Sequence, residues 1–188
     1  MKTKLSFRAL LLPAMMLFLS TSCKKEVSNV IPDQTMLSSE NRVIAGGTEG
    51  RLAESQLLKS VRQATSRFNS TTQALKAGYL QETRCVVSPT GEGGMGYHWP
   101  KPSLFDNIFD PMQPEVLLYA TGPDGNLKLV AVEYLVINTG QARPMFGNHP
   151  FDIRGAPIPA EHWTLHVWLH EFNPAGVFTR FNPNVTCP

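Results

Sequence analysis

The side chains most able to do chemistry in this 188-residue chain are one glutamate and two histidines. Glu133 is the only acid in an alternating apolar row, and a carboxylate in such a place must be paired, hydrogen-bonded or neutralised. Its predicted partners are a histidine from a neighbouring strand, Arg143 or Arg154, or a metal ion. His98 and His166 are the candidate histidines. Two imidazoles and a carboxylate suit zinc, iron or manganese and leave coordination positions open for water or substrate.

Three interpretations of these residues are open. In the first, His98, Glu133 and His166 bind one metal ion, which could also serve as a Lewis-acid or water-activating catalyst. In the second, a histidine and Glu133 form a hydrogen-bonded polar cluster in the core. In the third, an apolar pocket with a few polar groups binds a small ligand. The residues predicted to line that pocket are Tyr97, Trp99, Trp168 and His170.

The segment 161–172, EHWTLHVWLHEF, is predicted to position His166. Its alternation of apolar residues with histidines is typical of a half-buried antiparallel strand. A helix is the alternative, because the three histidines of this segment are also spaced four residues apart. Flanking prolines favour the strand, on which His166 and His170 would lie roughly 13 Å apart and could not share a metal ion. The apolar face would contain Trp163, Leu165, Val167 and Leu169.

A predicted β-hairpin positions Glu133. Residues 116–120 and 127–137 are apolar and flank a segment rich in turn-forming residues. Both faces of the second strand are apolar, which predicts a central strand covered on both sides. His98 follows a glycine-rich loop at 88–96, which lacks the spacing of a phosphate-binding loop. The face assigned to Glu133 contains Leu127, Leu129, Ala131, Leu135 and Ile137 as well.

Helices are predicted before these strands. Apolar residues recur at helical spacing between Leu57 and Phe68, and a capping-box pattern at Ser70 predicts a second, short helix that ends at Gly78. We therefore predict an α+β fold, with one domain at 52–188 in which N-terminal helices pack on a mainly antiparallel sheet.

The N-terminal segment resembles a bacterial lipoprotein signal. Basic residues precede an apolar run from Ala9 to Leu19, and small residues then lead to Cys23. The resemblance implies that residues 1–22 are removed as a signal peptide and that a lipid on Cys23 anchors the protein to the cell envelope. Ordinary secretion is the alternative, since the small residues before Cys23 also fit another cleavage site. Residues 23–51 are predicted to be a flexible tether.

Export changes the interpretation of charge and of the other cysteines. Three of the 17 lysines and arginines lie in the signal, which leaves 14 against 15 acids and no basic run, so no nucleic-acid partner is expected. The partners expected instead are the membrane, through the lipid, and a small molecule. An oxidising compartment allows Cys85 and Cys187 to form a disulfide, with free or metal-binding thiols as the alternative.

A set of segments in the domain also has a familiar order. GMGYHW, PEVLLY, LVAVEYLV, LHVWLH and FNPNVTC follow a helix ending in AGYL, and this pattern resembles that of uncharacterised secreted bacterial proteins. The resemblance spans most of Ala74 to Cys187 and implies a shared domain, but no activity. The predicted function is therefore an envelope protein that binds a small ligand or metal through its His/Glu cluster. A metal-dependent enzyme and a non-catalytic interaction domain are the alternatives.

Overall fold

A computed structural model describes residues 38–154 and 158–188 of the chain. The predicted signal peptide, the lipidation site at Cys23 and most of the predicted tether lie outside the described residues. The described part combines one long helix with a six-stranded antiparallel sheet, so the predicted α+β class with a mainly antiparallel sheet is confirmed.

Helix α1 spans Ser38–Thr65 and is followed by a 3₁₀ turn, Ser66–Asn69, and a short helix α2, Thr71–Lys76. Helix α1 therefore begins within the predicted tether. No proline interrupts residues 38–65, and extending an existing helix adds one hydrogen bond for each residue fixed. None of the helices in the described residues is long and apolar enough to cross a bilayer.

The main sheet has six strands: β1 (Cys85–Val87), β2 (Gly94–Pro100), β3 (Val116–Thr121), β4 (Leu127–Ile137), β7 (Asp152–Arg154) and β8 (His162–Val167). Their order in the sheet is β1-β2-β3-β4-β8-β7, and each neighbouring pair is antiparallel. Two further short strands, β5 (Met145–Phe146) and β6 (His149–Pro150), pair with each other, and a 3₁₀ turn spans Pro102–Leu104. The predicted β3–β4 hairpin is confirmed. So is the strand, rather than the helix, in the segment that contains His166.

Each face of the sheet carries its own hydrophobic cluster. On one face, called here the helix-side face, the helices and the sheet share a buried cluster. The helical segments contribute Val61 of α1, Phe68 of the 3₁₀ turn and Ala74 of α2. The phenolic hydroxyl of Tyr119 donates to the Phe68 carbonyl oxygen at 2.6 Å. The predicted apolar row of β8, with Leu169 just beyond it, lies in this cluster. The opposite face, called here the pocket face, has a smaller cluster formed by Met95, Val116, Leu118, Ala120, Val130, Ala131, Trp168 and Val185.

A β-bulge at Val130 changes the faces predicted for strand β4. Leu118 pairs with Ala131 and Tyr119 with Leu129, so that Val130 is the extra residue. Leu129 therefore joins the helix-side cluster and Ala131 the pocket-face cluster. The prediction that Leu127, Leu129 and Ala131 share a face with Glu133 was therefore wrong for Leu127 and Leu129, which both pack in the helix-side cluster. The displaced carbonyl of Val130 accepts the backbone N–H groups of His170 and Glu171, at 3.1 and 3.0 Å.

A second irregularity, in strand β2, brings Met95 to the pocket face. Val86 pairs with Gly96 but Val87 with Gly94, so Met95 is the extra residue. Gly96 has a φ of 86°, and a Cβ atom there would lie 2.2 Å from the Tyr119 carbonyl oxygen. This conformation places Met95 on the pocket face, while Trp99 lies in the helix-side cluster and His98 faces away from it.

The predicted disulfide between Cys85 and Cys187 is confirmed. It joins the first strand to the end of the chain across a sequence separation of 102 residues. In the chain-entropy model a loop of this length corresponds to about 4–5 kcal/mol of stabilisation. Backbone hydrogen bonds in both directions between Gly94 and Asn182, at 3.1 and 2.9 Å, fix the same C-terminal segment against β2.

Replacing Gly96 by alanine tests the close approach of β2 to β3. We expect Gly96→Ala to lower the free energy of unfolding by about 3 kcal/mol or more, because the new methyl group collides with a backbone oxygen that cannot move cheaply. Urea denaturation measures the change. Gly125→Ala is the matched control, since Gly125 also has a positive φ (77°) but no atom within 4 Å of the added Cβ. Its expected loss is only about 1 kcal/mol. Equal losses in the two variants would mean that the contact with Tyr119 does not matter.

Candidate metal centre

Three strands bring His98, Glu133 and His166 together on the pocket face. Glu133 on β4 is the direct cross-strand partner of His166 on β8. His98 lies on β2, one strand further away, where it pairs with Leu118 of β3. Directly opposed side chains are the closest neighbours on a sheet, so Glu133 and His166 meet as a consequence of register alone. His98 joins them because its cross-strand partner Leu118 lies on the pocket face, and directly paired residues share a face.

The three side chains are separated by distances that a single ion could bridge. Glu133 Oε1 lies 3.8 Å from His166 Nε2, and Glu133 Oε2 lies 3.7 Å from His98 Nε2. One donor atom from each residue lies within 4.8 Å of the other two. Both measured separations exceed the upper limit of a normal hydrogen bond, about 3.2 Å. Ligands around a tetrahedral zinc ion, at about 2.1 Å from the metal, lie about 3.4 Å apart, so small side-chain movements would complete the site.

The three side chains of the cluster are mostly buried but remain partly accessible to solvent. The side chains of His166, Glu133 and His98 are 8%, 13% and 24% exposed. Burial lowers the pKa of His98 from 6.5 to about 4, and the nearby positive charge of Arg180 acts in the same direction, while the Gly96 backbone opposes the shift. The imidazole is therefore neutral at physiological pH. Neutral imidazole is the form that offers a lone pair to a metal ion.

A pocket of about 650 Å³ adjoins the cluster, and all three residues contribute to its lining. The remainder of the lining combines apolar side chains with the charged residues Glu82, Arg84, Asp152 and Arg180. A concave apolar site with a few polar groups is the usual form of a small-molecule site. A metal ion at the cluster would therefore have access to molecules in the pocket.

The four residues predicted to bind a ligand do not line this pocket. Tyr97 and Trp99 pack on the helix-side face, because alternation along β2 directs them away from His98. Trp168 is 4% exposed and donates its indole N–H to the Thr179 carbonyl oxygen at 2.7 Å. His170 lies beyond the end of β8 and has its Nε2 atom 2.9 Å from the Thr65 hydroxyl of helix α1. These contacts assign the four residues to the core and its supports.

Of the two arginines predicted as partners of Glu133, only Arg143 has a described side chain. Arg143 donates to the Phe151 carbonyl oxygen and lies 3.9 Å from the Asp152 carboxylate. The side chain of Arg154 lies outside the described part of the structure. Among the described side chains, two of the predicted partners, His98 and His166, lie next to the carboxylate.

Sequence reasoning missed the second acid of this region, Glu115, which is 2% exposed. Glu115 directly precedes the first residue of β3. Its carboxylate accepts a hydrogen bond from the Leu135 backbone N–H at 3.0 Å. Burial raises the pKa of Glu115 from 4.5 to about 8, and its backbone hydrogen bonds oppose the shift. An acid directly before an apolar run, in PEVLLYA, was the available signal. Sequence reasoning also missed Arg84 and Arg180, which carry no local signal because they reach the pocket from distant segments.

Comparisons with models of protein families, with curated protein sequences and with solved structures gave no match to this chain.

The buried acid Glu115 makes stability depend on pH. The folded protein holds this proton more tightly than the unfolded chain, so stability falls as pH rises from about 4.5 to about 8. We expect Glu115→Gln, which keeps an acceptor for the Leu135 N–H, to reduce this loss by up to about 1.4 kcal/mol per pH unit. Urea denaturation at pH 5 and pH 8 measures it. Glu161→Gln at an exposed acid should follow the wild type. A variant of Glu115 with the wild-type pH profile would contradict the assignment.

Proposed function

We propose that this protein binds one divalent metal ion through His98, Glu133 and His166 and presents it to small molecules in the adjoining pocket. The observation that carries the proposal is the convergence of three donor atoms to within 4.8 Å of one another in the lining of that pocket. One carboxylate and two imidazoles supply a single negative charge and two neutral donors. This donor set suits zinc, iron or manganese.

The rigid framework of the site supports metal binding. Glu133 and His166 are held on two adjacent strands within the sheet, and such positions lose less conformational entropy on binding than side chains on mobile loops. The low exposure of the donors favours electrostatic binding, because water screens charges weakly in such a place. Three protein ligands leave at least one coordination position for water or a ligand.

A second candidate function is metal-dependent catalysis by the same residues. The open coordination positions would face a pocket that is large enough for a small substrate, which favours this candidate over a purely structural metal. A metal-bound water has a lowered pKa and can act as a nucleophile. Water-proton relaxation of manganese-loaded protein distinguishes a catalytic from a purely structural metal site. An exchangeable water is expected at a catalytic metal and not at a metal with a closed ligand shell.

We further propose that the protein is exported and held at the cell envelope by a lipid on Cys23. The order of basic, apolar and small residues before this cysteine supports the proposal. The disulfide between Cys85 and Cys187 is consistent with an oxidising compartment. The pocket would then meet small molecules of the envelope.

Metal titration tests the proposed site. The full chain is expressed, extracted from membranes, purified without a histidine tag, stripped with chelator and titrated with Zn²⁺ by calorimetry. We expect one zinc ion per chain. Mutating a group that only hydrogen-bonds a metal ligand costs about 10- to 100-fold in metal affinity. His166→Ala removes a proposed ligand itself, so it should lower zinc affinity by about a hundredfold or more. Elemental analysis of unstripped protein identifies the native metal.

His149→Ala is the control for this titration. His149 is half-buried and stacks on the Phe178 ring at 4.2 Å, outside the cluster, so its loss should leave zinc uptake unchanged. Wild-type affinity in His166→Ala would place the bound zinc elsewhere. If stripped wild-type protein takes up no zinc, iron or manganese, the three residues form a polar cluster of the core and the proposal fails.

Replacing the proposed lipidation site tests the location. Cys23→Ser removes the thiol that would carry the lipid, so we expect the protein to leave the membrane fraction and to lose incorporation of labelled fatty acid. Cell fractionation and metabolic labelling measure these changes. Cys85→Ser is the control, because it removes a cysteine of the disulfide and should leave lipid labelling intact. Persistent labelling of Cys23→Ser would exclude this residue as the anchor.

A further inference from the structure

The pocket beside the cluster has an apolar part that a metal site alone does not need. Val86 of β1, Met95 of β2, Phe105 and Ile158 contribute to its lining. These side chains are buried or half-buried. Hydrated ions gain nothing from such surfaces, whereas a ligand with a hydrocarbon chain or ring is stabilised by leaving water.

The charges in the lining define the other part of the ligand. Two arginines, Arg84 and Arg180, line the pocket together with three acids, Glu82, Glu133 and Asp152. The two guanidinium groups and three carboxylates sum to one net negative charge. Histidines bind a metal ion as neutral imidazoles, so a bound divalent cation changes the sum to one net positive charge. A ligand with one negative charge makes the metal-bound pocket neutral. A dianionic phosphate group would leave it with one net negative charge.

Arg180 is a cation that can act together with the metal. It lines the same pocket as His98, Glu133 and His166. It lies 5.3 Å from the centre of the Phe181 ring, and among the described residues neither Arg180 nor Arg84 takes part in an ion pair. Arginine presents two parallel N–H groups that match the geometry of a carboxylate.

We propose that the pocket binds a small organic carboxylate with an apolar body. One carboxylate oxygen fills an open coordination position of the metal, Arg180 donates hydrogen bonds to the carboxylate, and the hydrocarbon part packs on the apolar side chains around Phe105. This inference rests on the proposed metal site, because the ion supplies the charge that makes an anion favourable. Ligand and metal binding are therefore coupled, and each raises the affinity for the other.

Titration with defined carboxylates tests the proposal. The probes are acetate, hexanoate, neutral hexanamide and inorganic phosphate, added to zinc-loaded and to zinc-free full-length protein in a calorimeter. We expect hexanoate to bind zinc-loaded protein about tenfold or more tighter than acetate, because its longer chain is buried. Hexanamide, phosphate and the zinc-free protein should each give binding at least about tenfold weaker than hexanoate on zinc-loaded protein.

Variants separate the arginine from the metal. Arg180→Gln should weaken hexanoate binding by about tenfold or more, through loss of a charge-assisted contact, while zinc affinity stays within about threefold of wild type. Phe105→Ala should reduce the preference for hexanoate over acetate. Arg67→Gln is the matched control, because Arg67 also lies over the ring of the next residue, Phe68, at 4.6 Å, but does not line the pocket.

The outcomes distinguish this inference from the proposed function. If zinc binds but hexanoate does not, the carboxylate proposal is overturned and the metal site stands. The same conclusion follows if hexanoate binds equally well to zinc-free protein or to Arg180→Gln. Tighter binding of phosphate than of hexanoate also overturns it. If zinc itself does not bind to the cluster, both proposals fail together.

Discussion

The need to compensate a carboxylate in the middle of an apolar sheet governs this structure. Glu133 lies on strand β4, which has a hydrophobic cluster on each face. A charge in such surroundings is costly unless groups of suitable chemistry surround it. The register of β4 with β8 supplies His166 directly opposite, and His98 approaches from the other side. One donor atom from each of the three residues lies within 4.8 Å of the others, an arrangement that could hold a metal ion.

Two bulges change which residues of the neighbouring strands lie on the pocket face. The bulges at Met95 and Val130 shift the phase of strands β2 and β4, both next to the same part of β3. They bring Met95 and Val130 into the pocket-face cluster, so each of these strands contributes apolar side chains to both faces of the sheet. Gly96 permits the first bulge because glycine tolerates a positive φ. His98 itself lies on the pocket face through its register with Leu118.

Much of the architecture was predictable from local pattern. Alternation identified strand β8, and the turn-rich segment before β4 identified the hairpin, because side-chain period and turn chemistry are local properties. The three residues of the cluster were also predictable, since an acid in an apolar row stands out. The roles of Trp99, Trp168 and His170 were not. Their surroundings depend on which face a strand presents after a bulge and on where the chain turns.

The sequence by itself determined that Glu133 would be set among apolar neighbours, and that Cys85 and Cys187 were suited to form a bridge. Only the tertiary structure decided which groups meet the carboxylate, because register and bulges convert positions along the chain into neighbours in space. The same holds for Arg180 and Phe105, which come from segments far apart in sequence and share a lining only after the sheet has formed. Local pattern specifies which faces are buried, whereas long-range pairing specifies what each face contains.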